Sequence, residues 1–329
     1  MKNDIQRIAI VRLSALGDIV NTAVVLQFIH QHFSHAQIDW ITEEAFAPLL
    51  RSHPLIHQVH TISLKALKRS KSLSELLKTI KYLRSLGEYD IVIDVQGLIK
   101  SAIVARLIGK KTHGFDRDST RESLASLFYR TASHIAYGEN IVMRNTFVVA
   151  DALGFTITKE MIEHKEAIFK HLIKTKSSHA KKEVAFVIGA SWESKKYPKE
   201  RVAEVVKALD AECHIIWGSE AERQDAEWIC QYSHAKIAPK MGLEELVAFI
   251  SEMDLVIGND TGPTHMAWAQ NIPSITLFGP TNERMIFETP QNIAIKSPSK
   301  VNILKIDRND FSIREIAPQS VIELAKGLL

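Results

Sequence analysis

Two acidic residues in this sequence each follow an apolar run and open an amphipathic segment. They are Asp18, in Arg12-Leu13-Ser14-Ala15-Leu16-Gly17-Asp18-Ile19-Val20, and Asp260, in Gly258-Asn259-Asp260-Thr261-Gly262-Pro263-Thr264-His265. A residue so placed sits at the carboxyl end of a strand and in the first turn of a helix, the edge at which open α/β sheets bind ligands. A carboxylate there can cap the helix or take a proton from an attacking hydroxyl, and for Asp18 the residues alone leave both open. Gly17 supplies the tight turn before it through a backbone conformation closed to other residues. At Asp260 the following helix offers free backbone amides, an anion site suited to a pyrophosphate. A bare cap is the other reading of Asp260 and Thr261, and a hydrogen-bonded core histidine that of His265.

Further polar residues fall at equivalent positions. Gly189-Ala190-Ser191-Trp192-Glu193-Ser194-Lys195-Lys196-Tyr197-Pro198 also leaves a strand, and a lysine in such a loop can neutralise a leaving phosphate, whereas Lys196 or Lys199 could equally be solvated. Glu222, in Trp217-Gly218-Ser219-Glu220-Ala221-Glu222, could accept two ribose hydroxyls or simply occupy a first helical turn. Gln96 and Lys100 follow the run Asp90–Val95 and share the carboxyl edge with Asp18. Ser119 and Glu122 form a capping-box pattern, which gives both a structural duty that Arg121 does not share. The stretch holding Lys65, Lys68, Arg69, Lys71, Lys78, Lys81 and Arg84, interleaved with leucines, is a basic amphipathic helix with its preceding loop: a solvated lysine face or a site for phosphates and carboxylates.

Elements that would position these residues are legible in the apolar periodicity. Strands are expected at 8–11, 38–41, 58–62, 90–95, 110–115, 184–188, 214–217, 254–258 and 274–279. Helical spacing follows at Ile19 to Ile29, Ala45 to Leu50, Lys199 to Leu209 and Gln319 to Leu329. Regular signals lapse between Gly154 and Lys182. The alternation predicts an α/β fold of two doubly wound halves, with domains at 1–160 and 183–329 and a linker at 161–182. The last helix is a candidate to pack back toward the amino-terminal half.

Composition bounds the rest. At 329 residues and 46% hydrophobic content two packed cores are expected. The net charge of +3, from 41 basic and 38 acidic residues, gives no global drive toward nucleic acid. Cys213 and Cys230 have no metal-type spacing and read as reduced thiols of a cytosolic protein. No secretion signal or membrane span is apparent. There is no G-x-G-x-x-G after the first strand, no P-loop, no H-E-x-x-H and no Asp-x-Asp pair, so dinucleotide oxidation, P-loop hydrolysis, zinc proteolysis and a metal-held sugar nucleotide lack sequence support. No metal is expected.

Four stretches carry a resemblance: Val11 to Asp18, Asp94 to Ala102, Gly114-Phe115-Asp116 with Arg121-Glu122-Ser123, and Asn259 to His265. In order and spacing they resemble the lipopolysaccharide heptosyltransferases, the first two most like the heptosyltransferase I branch. The resemblance implies a GT-B fold, two Rossmann-like domains facing across a cleft, with the acceptor on the amino-terminal half and the donor on the other. It implies ADP-L-glycero-D-manno-heptose as donor, Kdo of the lipid A inner core as acceptor, inversion at the anomeric carbon, and no cofactor or metal. By position it makes Asp18 the general base and Lys195 the donor-phosphate lysine. It makes Glu222 the ribose contact, Met241 the neighbour of the adenine, and Asp260, Thr261, Gly262 and His265 the donor loop. Relatives often carry a Thr pair ahead of the phosphate lysine; here Ala190-Ser191 leaves only Ser191 to supply a hydroxyl. On the acceptor side Ser14, Gln96, Lys100 and Arg121 are the candidates. The setting is cytoplasmic, with peripheral contact to the inner membrane face an option and no nucleic-acid partner. Heptosyltransferase II or another nucleotide-sugar transferase is the neighbouring alternative, and a noncatalytic nucleotide-sugar binding protein the one from a different class.

Overall fold

In a computed structural model, which describes residues 5–173 and 180–329, the chain divides into two compact units, Met1–Lys165 and Glu166–Leu329. Residues 174–179, inside the expected linker, and the Lys65 side chain lie outside what is described. The first unit holds β1 (Arg7–Val11), β2 (Gln37–Glu43), β3 (Gln58–Ile62), β4 (Ile91–Asp94), β5 (Thr112–Phe115) and β6 (Thr131–Ser133) in one parallel sheet of order β3-β2-β1-β4-β5-β6. Its helices are α1 (Leu16–Ala23), α2 (Val25–His32), α3 (Ala47–Arg51), α4 (Leu64–Ser70), α5 (Leu73–Arg84), α6 (Ile99–Ile108), α7 (Ile141–Leu153) and α8 (Lys159–Glu163).

The second unit repeats the plan. Strands β7 (Glu183–Val187), β8 (Glu212–Ile216), β9 (Lys236–Ile237), β10 (Leu255–Asn259), β11 (Ser274–Phe278) and β12 (Asn292–Lys296) form a parallel sheet of order β12-β11-β10-β7-β8-β9. Helices α9 (Lys199–Ala208), α10 (Glu220–Gln231), α11 (Leu243–Glu252), α12 (Gly262–Ala269) and α13 (Pro318–Leu328) complete it. The last helix packs on α9 and β11 of its own unit, burying Val321, Ile322 and Ala325 in the core with Val202, Val205 and Val206.

Parallel strands joined by crossover helices are covered on both faces, which is why β1, β7, β10 and β11 are apolar without alternation. In each unit the strand order reverses once, between β1 and β4 and between β7 and β10. The loops leaving those strands diverge to opposite sides and open the crevice in which such sheets hold ligands. Asp18 follows β1, Gln96 and Lys100 follow β4, Ser191 and Lys195 follow β7, and Asp260 follows β10. The two switch points therefore own nearly all of the candidate residues.

Local structure departs from expectation at four places. The first long helix breaks into α1 and α2 at Val24, and the basic segment into α4 and α5 at Lys71, whose left-handed backbone (φ 49°) ends α4. Gly17 lies inside α1 and is not among the described residues with positive φ; the left-handed turn at this edge belongs to Gly97 (φ 68°), where a Cβ would stand 2.8 Å from the Phe115 ring. Ser119 caps no helix: its Oγ donates to Asp116 Oδ1 at 2.5 Å and accepts from Ile135 N at 2.8 Å. Glu122 Oε2 instead accepts from Ile99 N at 2.8 Å and so caps α6, an element more than twenty residues upstream. The expected capping box thus has its two members on different tasks.

Candidate active site

At the first switch point Asp18 is held from both sides. Its Oδ1 lies 2.7 Å from Arg12 Nη2, and its Oδ2 accepts from Ala15 N at 3.2 Å. Arg12 closes β1 and is buried; its Nη1 donates to Val95 O at 2.5 Å, which ties the end of β1 to the end of β4. The cap and the base are therefore compatible readings of Asp18, since each carboxylate oxygen has two lone pairs and the residue keeps about a fifth of its surface exposed.

Three of the acceptor-side candidates join this carboxylate. Gln96 Oε1 accepts from Leu13 N at 2.8 Å, and Lys100 Nζ donates to Ser14 Oγ at 3.3 Å, so Ser14, Gln96 and Lys100 meet across the gap between the β1 and β4 loops. Arg121 is reached through Glu122, whose Oε1 stands 3.9 Å from its guanidinium and whose other oxygen caps α6. Beneath them, Asp94 closes β4 fully buried. It accepts from Tyr129 OH at 2.7 Å and from Gln96 N at 2.8 Å. Burial pushes its carboxyl above the usual range, against the lowering effect of those bonds. Thr120 Oγ1 donates to Gly97 O, which fixes the left-handed turn. Arg12, Asp94, Thr120 and Tyr129 had no assigned role in the sequence. The signal for Arg12 was a cation closing a strand buried on both faces, where a charge requires a partner.

The second switch point is built on a buried ion pair. Lys195 Nζ lies 2.7 Å from Asp260 Oδ2, and His265 Nε2 is 3.1 Å from Asp260 Oδ1; all three side chains are at least nine-tenths buried. Burial alone would raise the Asp260 carboxyl, but the Lys195 charge and the His265 contacts outweigh it and hold the group well below the ordinary carboxylate range. Asp260 and His265 stand at the entry to α12, where Thr261 is the N-cap and Gly262 the first residue, so the Lys195 ammonium and the helix amino end point at one place. Lys196 and Lys199 have other partners, Glu193 at 2.7 Å and Asp225 at 2.8 Å.

Asn259 was missed by sequence reasoning, although it stands in the quoted motif. Its Nδ2 donates to Ile188 O at 3.0 Å, and its Oδ1 accepts from Tyr197 N at 3.0 Å. One amide thus staples both ends of the loop carrying Ser191 and Lys195 to β10. Ser191 is exposed on that loop.

Glu222 does the bland task and keeps room for the other. Its Oε2 accepts from Gly218 N at 2.7 Å and Ser219 N at 3.0 Å, capping α10, while the carboxylate lies against Gly189 so closely that a Cβ there would meet Oε1 at 2.7 Å. Lys240 Nζ donates to Gly218 O and stands 4.6 Å from the centre of the Trp217 ring, which brings the β9–α11 loop beside the Glu222 cap. Met241, next in that loop, is half-buried and lines a groove of about 610 Å³ with Leu172, Pro239, Lys240 and Phe249. The second-unit candidates therefore run as a contiguous strip, from the buried cation to a half-buried carboxylate to a groove in which Leu172, Met241 and Phe249 are mixed with Lys240, Glu244 and Glu245. That order suits a diphosphate, a ribose and a flat base. Among the described residues there is no group of three or more His, Cys, Asp or Glu placed to hold a metal ion, and no helix long and apolar enough to cross a membrane.

Comparison with known proteins identifies the family. The family model described as glycosyltransferase family 9 (heptosyltransferase) matches residues 76–305. Lipopolysaccharide heptosyltransferase 1 of Campylobacter coli is 38% identical over 98% of both chains. The protein of that name from Escherichia coli K12 is 28% identical over 92% of this chain and 96% of its own. Among solved structures, E. coli heptosyltransferase WaaC with ADP-2-deoxy-2-fluoro heptose superposes with a TM-score of 0.84 at 26% identity, covering 98% of this chain and all of that one. The fold is accordingly GT-B, built here from two parallel six-stranded Rossmann-like units. A family model spanning more than half the sequence, and a relative this similar over nearly all of it, place the chain in glycosyltransferase family 9, the heptosyltransferase family, and make it a glycosyltransferase.

Proposed function

We propose that this protein transfers L-glycero-D-manno-heptose from ADP-heptose to Kdo of the lipid A inner core, with inversion, in lipopolysaccharide biosynthesis. The observation that carries the donor half is the Lys195–Asp260–His265 cluster at the entry to α12, which gives a diphosphate one buried cation beside the Thr261 and Gly262 amides, the Thr264 and His265 amides being bonded to Thr261 O. The relatives' names and the ligand of the WaaC structure supply the identity of the nucleotide and sugar. The acceptor half rests on Asp18, with Ser14, Gln96 and Lys100 around it and Arg121 beyond.

In this reading an acceptor hydroxyl gives its proton to Asp18 as its oxygen forms a bond to the anomeric carbon, and the bond from that carbon to the diphosphate oxygen breaks. ADP leaves with the extra negative charge, which Lys195 and the amides around Thr261 and Gly262 meet. Arg12 holds the base in one orientation, so that position substitutes for basic strength. Glu222 and Met241 bind the ribose and adenine, and no cofactor or metal takes part. The reaction belongs on the cytoplasmic side of the inner membrane, where donor and acceptor are both available.

ADP formation from ADP-heptose, followed with and without Kdo-lipid A, tests the reading. Acceptor-dependent ADP release is expected, and Asp18→Asn should lower turnover about a hundredfold or more while ADP-heptose affinity stays nearly constant. Donor binding without acceptor-stimulated release would make the chain a binding protein, and near-normal turnover in Asp18→Asn would leave that residue only its cap.

A further inference from the structure

The basic segment of the first unit carries an apolar surface that its own fold leaves uncovered. Of the twelve residues of α5 only Leu83 is buried. Leu73, Leu76, Leu77, Ile80 and Leu83 recur at helical spacing and form one stripe, closed at the Leu83 end and open at the other. Leu73 is 68% exposed, Leu76 44% and Leu77 57%. Helix α6 packs against α5 on one side and against the 3₁₀ segment Ser123–Phe128 on the other. These neighbours add Ile103 at 40%, Leu124 at 62% and Leu127 at 77%. Six large apolar side chains on adjoining elements exceed the scatter of single exposed residues that a monomer normally carries.

Charge identifies the occupant. Between Leu64 and Arg84 the sequence has seven cationic residues and one acidic one, Glu75. Lys68, Arg69, Lys71, Lys78, Lys81 and Arg84 are exposed. A second copy of this chain would bring two such flanks together, with like charges opposed. A helix with leucines on one face and lysines on the other suits an anionic lipid surface, into whose headgroup boundary the leucines sink while the cations stay among the phosphates. Topology sets where this happens. Helices α4 and α5 together make the crossover from the carboxyl end of β3 to the amino end of β4, with the Leu83 end of α5 leading into β4 and the Leu73 end on the β3 side; α6 starts after the carboxyl end of β4, and the 3₁₀ segment follows β5. The open end of the stripe therefore lies at the edge of the sheet that carries Asp18.

We propose that this flank of the first unit, Leu73, Leu76 and Leu77 with Ile103, Leu124 and Leu127 beside them, docks on a bilayer containing anionic phospholipids. It deepens the transferase reading, because a lipid-borne acceptor is met at that surface. The consequence for turnover rests on that reading, while the docking does not.

The test is co-sedimentation of the full chain, without donor or acceptor, on vesicles of phosphatidylcholine alone and of phosphatidylcholine mixed with phosphatidylglycerol. Binding to the mixed vesicles, weakened by salt and much lower on phosphatidylcholine alone, is expected. Leu73→Ser with Leu77→Ser should weaken it by about tenfold or more, and Lys68→Gln, Arg69→Gln and Lys71→Gln together by about a hundredfold. The leucine variant should keep its Tm and its turnover on a water-soluble Kdo acceptor, and lose turnover on vesicle-borne acceptor. The proposal is overturned if the wild-type chain ignores both vesicles, if the leucine variant binds them as well as wild type, or if the leucines instead hold a dimer that shows no lipid binding. Loss of acceptor-dependent ADP release with vesicle binding intact would count against the transferase reading alone.

Discussion

Replacing Lys195 by Met separates what the buried cation does for the fold from what it does for the nucleotide. The Lys195–Asp260 contact is 2.7 Å, and neither side chain exposes more than a tenth of its surface. Removing one partner leaves the other charge buried, at a cost of roughly 3–5 kcal/mol. His265 remains within 3.1 Å of Asp260 and offsets part of that, so the lower end is expected. In a unit the size of Glu166–Leu329 the change corresponds to a fall in Tm of roughly 6–20 °C. The effect has a pH signature. Asp260 titrates below its unfolded value, so its contribution is present above about pH 4 and is lost as pH falls toward the folded value. The gap between wild type and Lys195→Met should accordingly be widest at neutral pH and narrow in acid. Adding Asp260→Asn removes the stranded charge, and the double variant should recover most of the Tm because no buried ion is left unpaired. ADP affinity should fall in the single variant and stay low in the double one, since neither restores a cation at the entry to α12. Thermal melts across pH with calorimetric ADP titration of the three proteins decide the matter. A double variant as unstable as the single one, or one that regains ADP affinity, would refute the reasoning.

Two further perturbations follow from close contacts and burial. Gly189→Ala places a methyl group 2.7 Å from Glu222 Oε1 and must displace that carboxylate; it should lower ADP affinity about tenfold, as Glu222→Ala does, which is the worth of one hydrogen bond to a charged group. Unchanged ADP affinity in both variants would remove Glu222 from the donor site. Lys165 is buried, and burial pushes its ammonium down to about 7. Between that value and the unfolded value near 10.4 the unfolded chain holds a proton that the folded chain lacks, so stability should rise with pH there, with a slope of at most about 1.4 kcal/mol per pH unit. Lys165→Met should flatten the rise in urea unfolding between pH 7 and 10, and a slope equal to wild type would show that the lysine stays charged.

What could be read from the sequence was what burial dictates on both faces of a strand. The runs at β1, β4, β7, β10 and β11 stand within a residue or two of their expected ends, because a covered parallel strand has no polar face to blur it. Other elements hid for identifiable reasons. Strand β6 has three residues, two of them exposed. Helix α7 buries Arg144, Asn145 and Thr146 along with its apolar residues, so its stripe is interrupted by polar side chains satisfied at a distance. Arg144 donates to Ala136 O at 2.6 Å and Ser119 O at 2.5 Å, and Asn145 to Thr22 Oγ1 at 2.9 Å, partners that no local pattern announces. Glu122 illustrates the same limit from the other direction, since a local capping box was legible while the helix it caps lies twenty-three residues away.

The site residues pose a subtler difficulty, because the sequence offers cap or ligand as alternatives where the geometry makes them one arrangement. Glu222 spends a single oxygen on the amides of Gly218 and Ser219 and presents the other toward Gly189. Asp18 likewise gives Oδ2 to Ala15 N and Oδ1 to Arg12, each with a lone pair to spare. A carboxylate that must meet substrate in a fixed direction gains from such a partner, because a side chain free to rotate would surrender the advantage of position on which a weak base depends. The cap orients the group, and the helix amino end that needs capping is also what draws an anionic substrate to the edge. Capping and binding coincide at Asp18 and Glu222 because both exploit the unsatisfied amides of a helix that begins where a parallel strand ends.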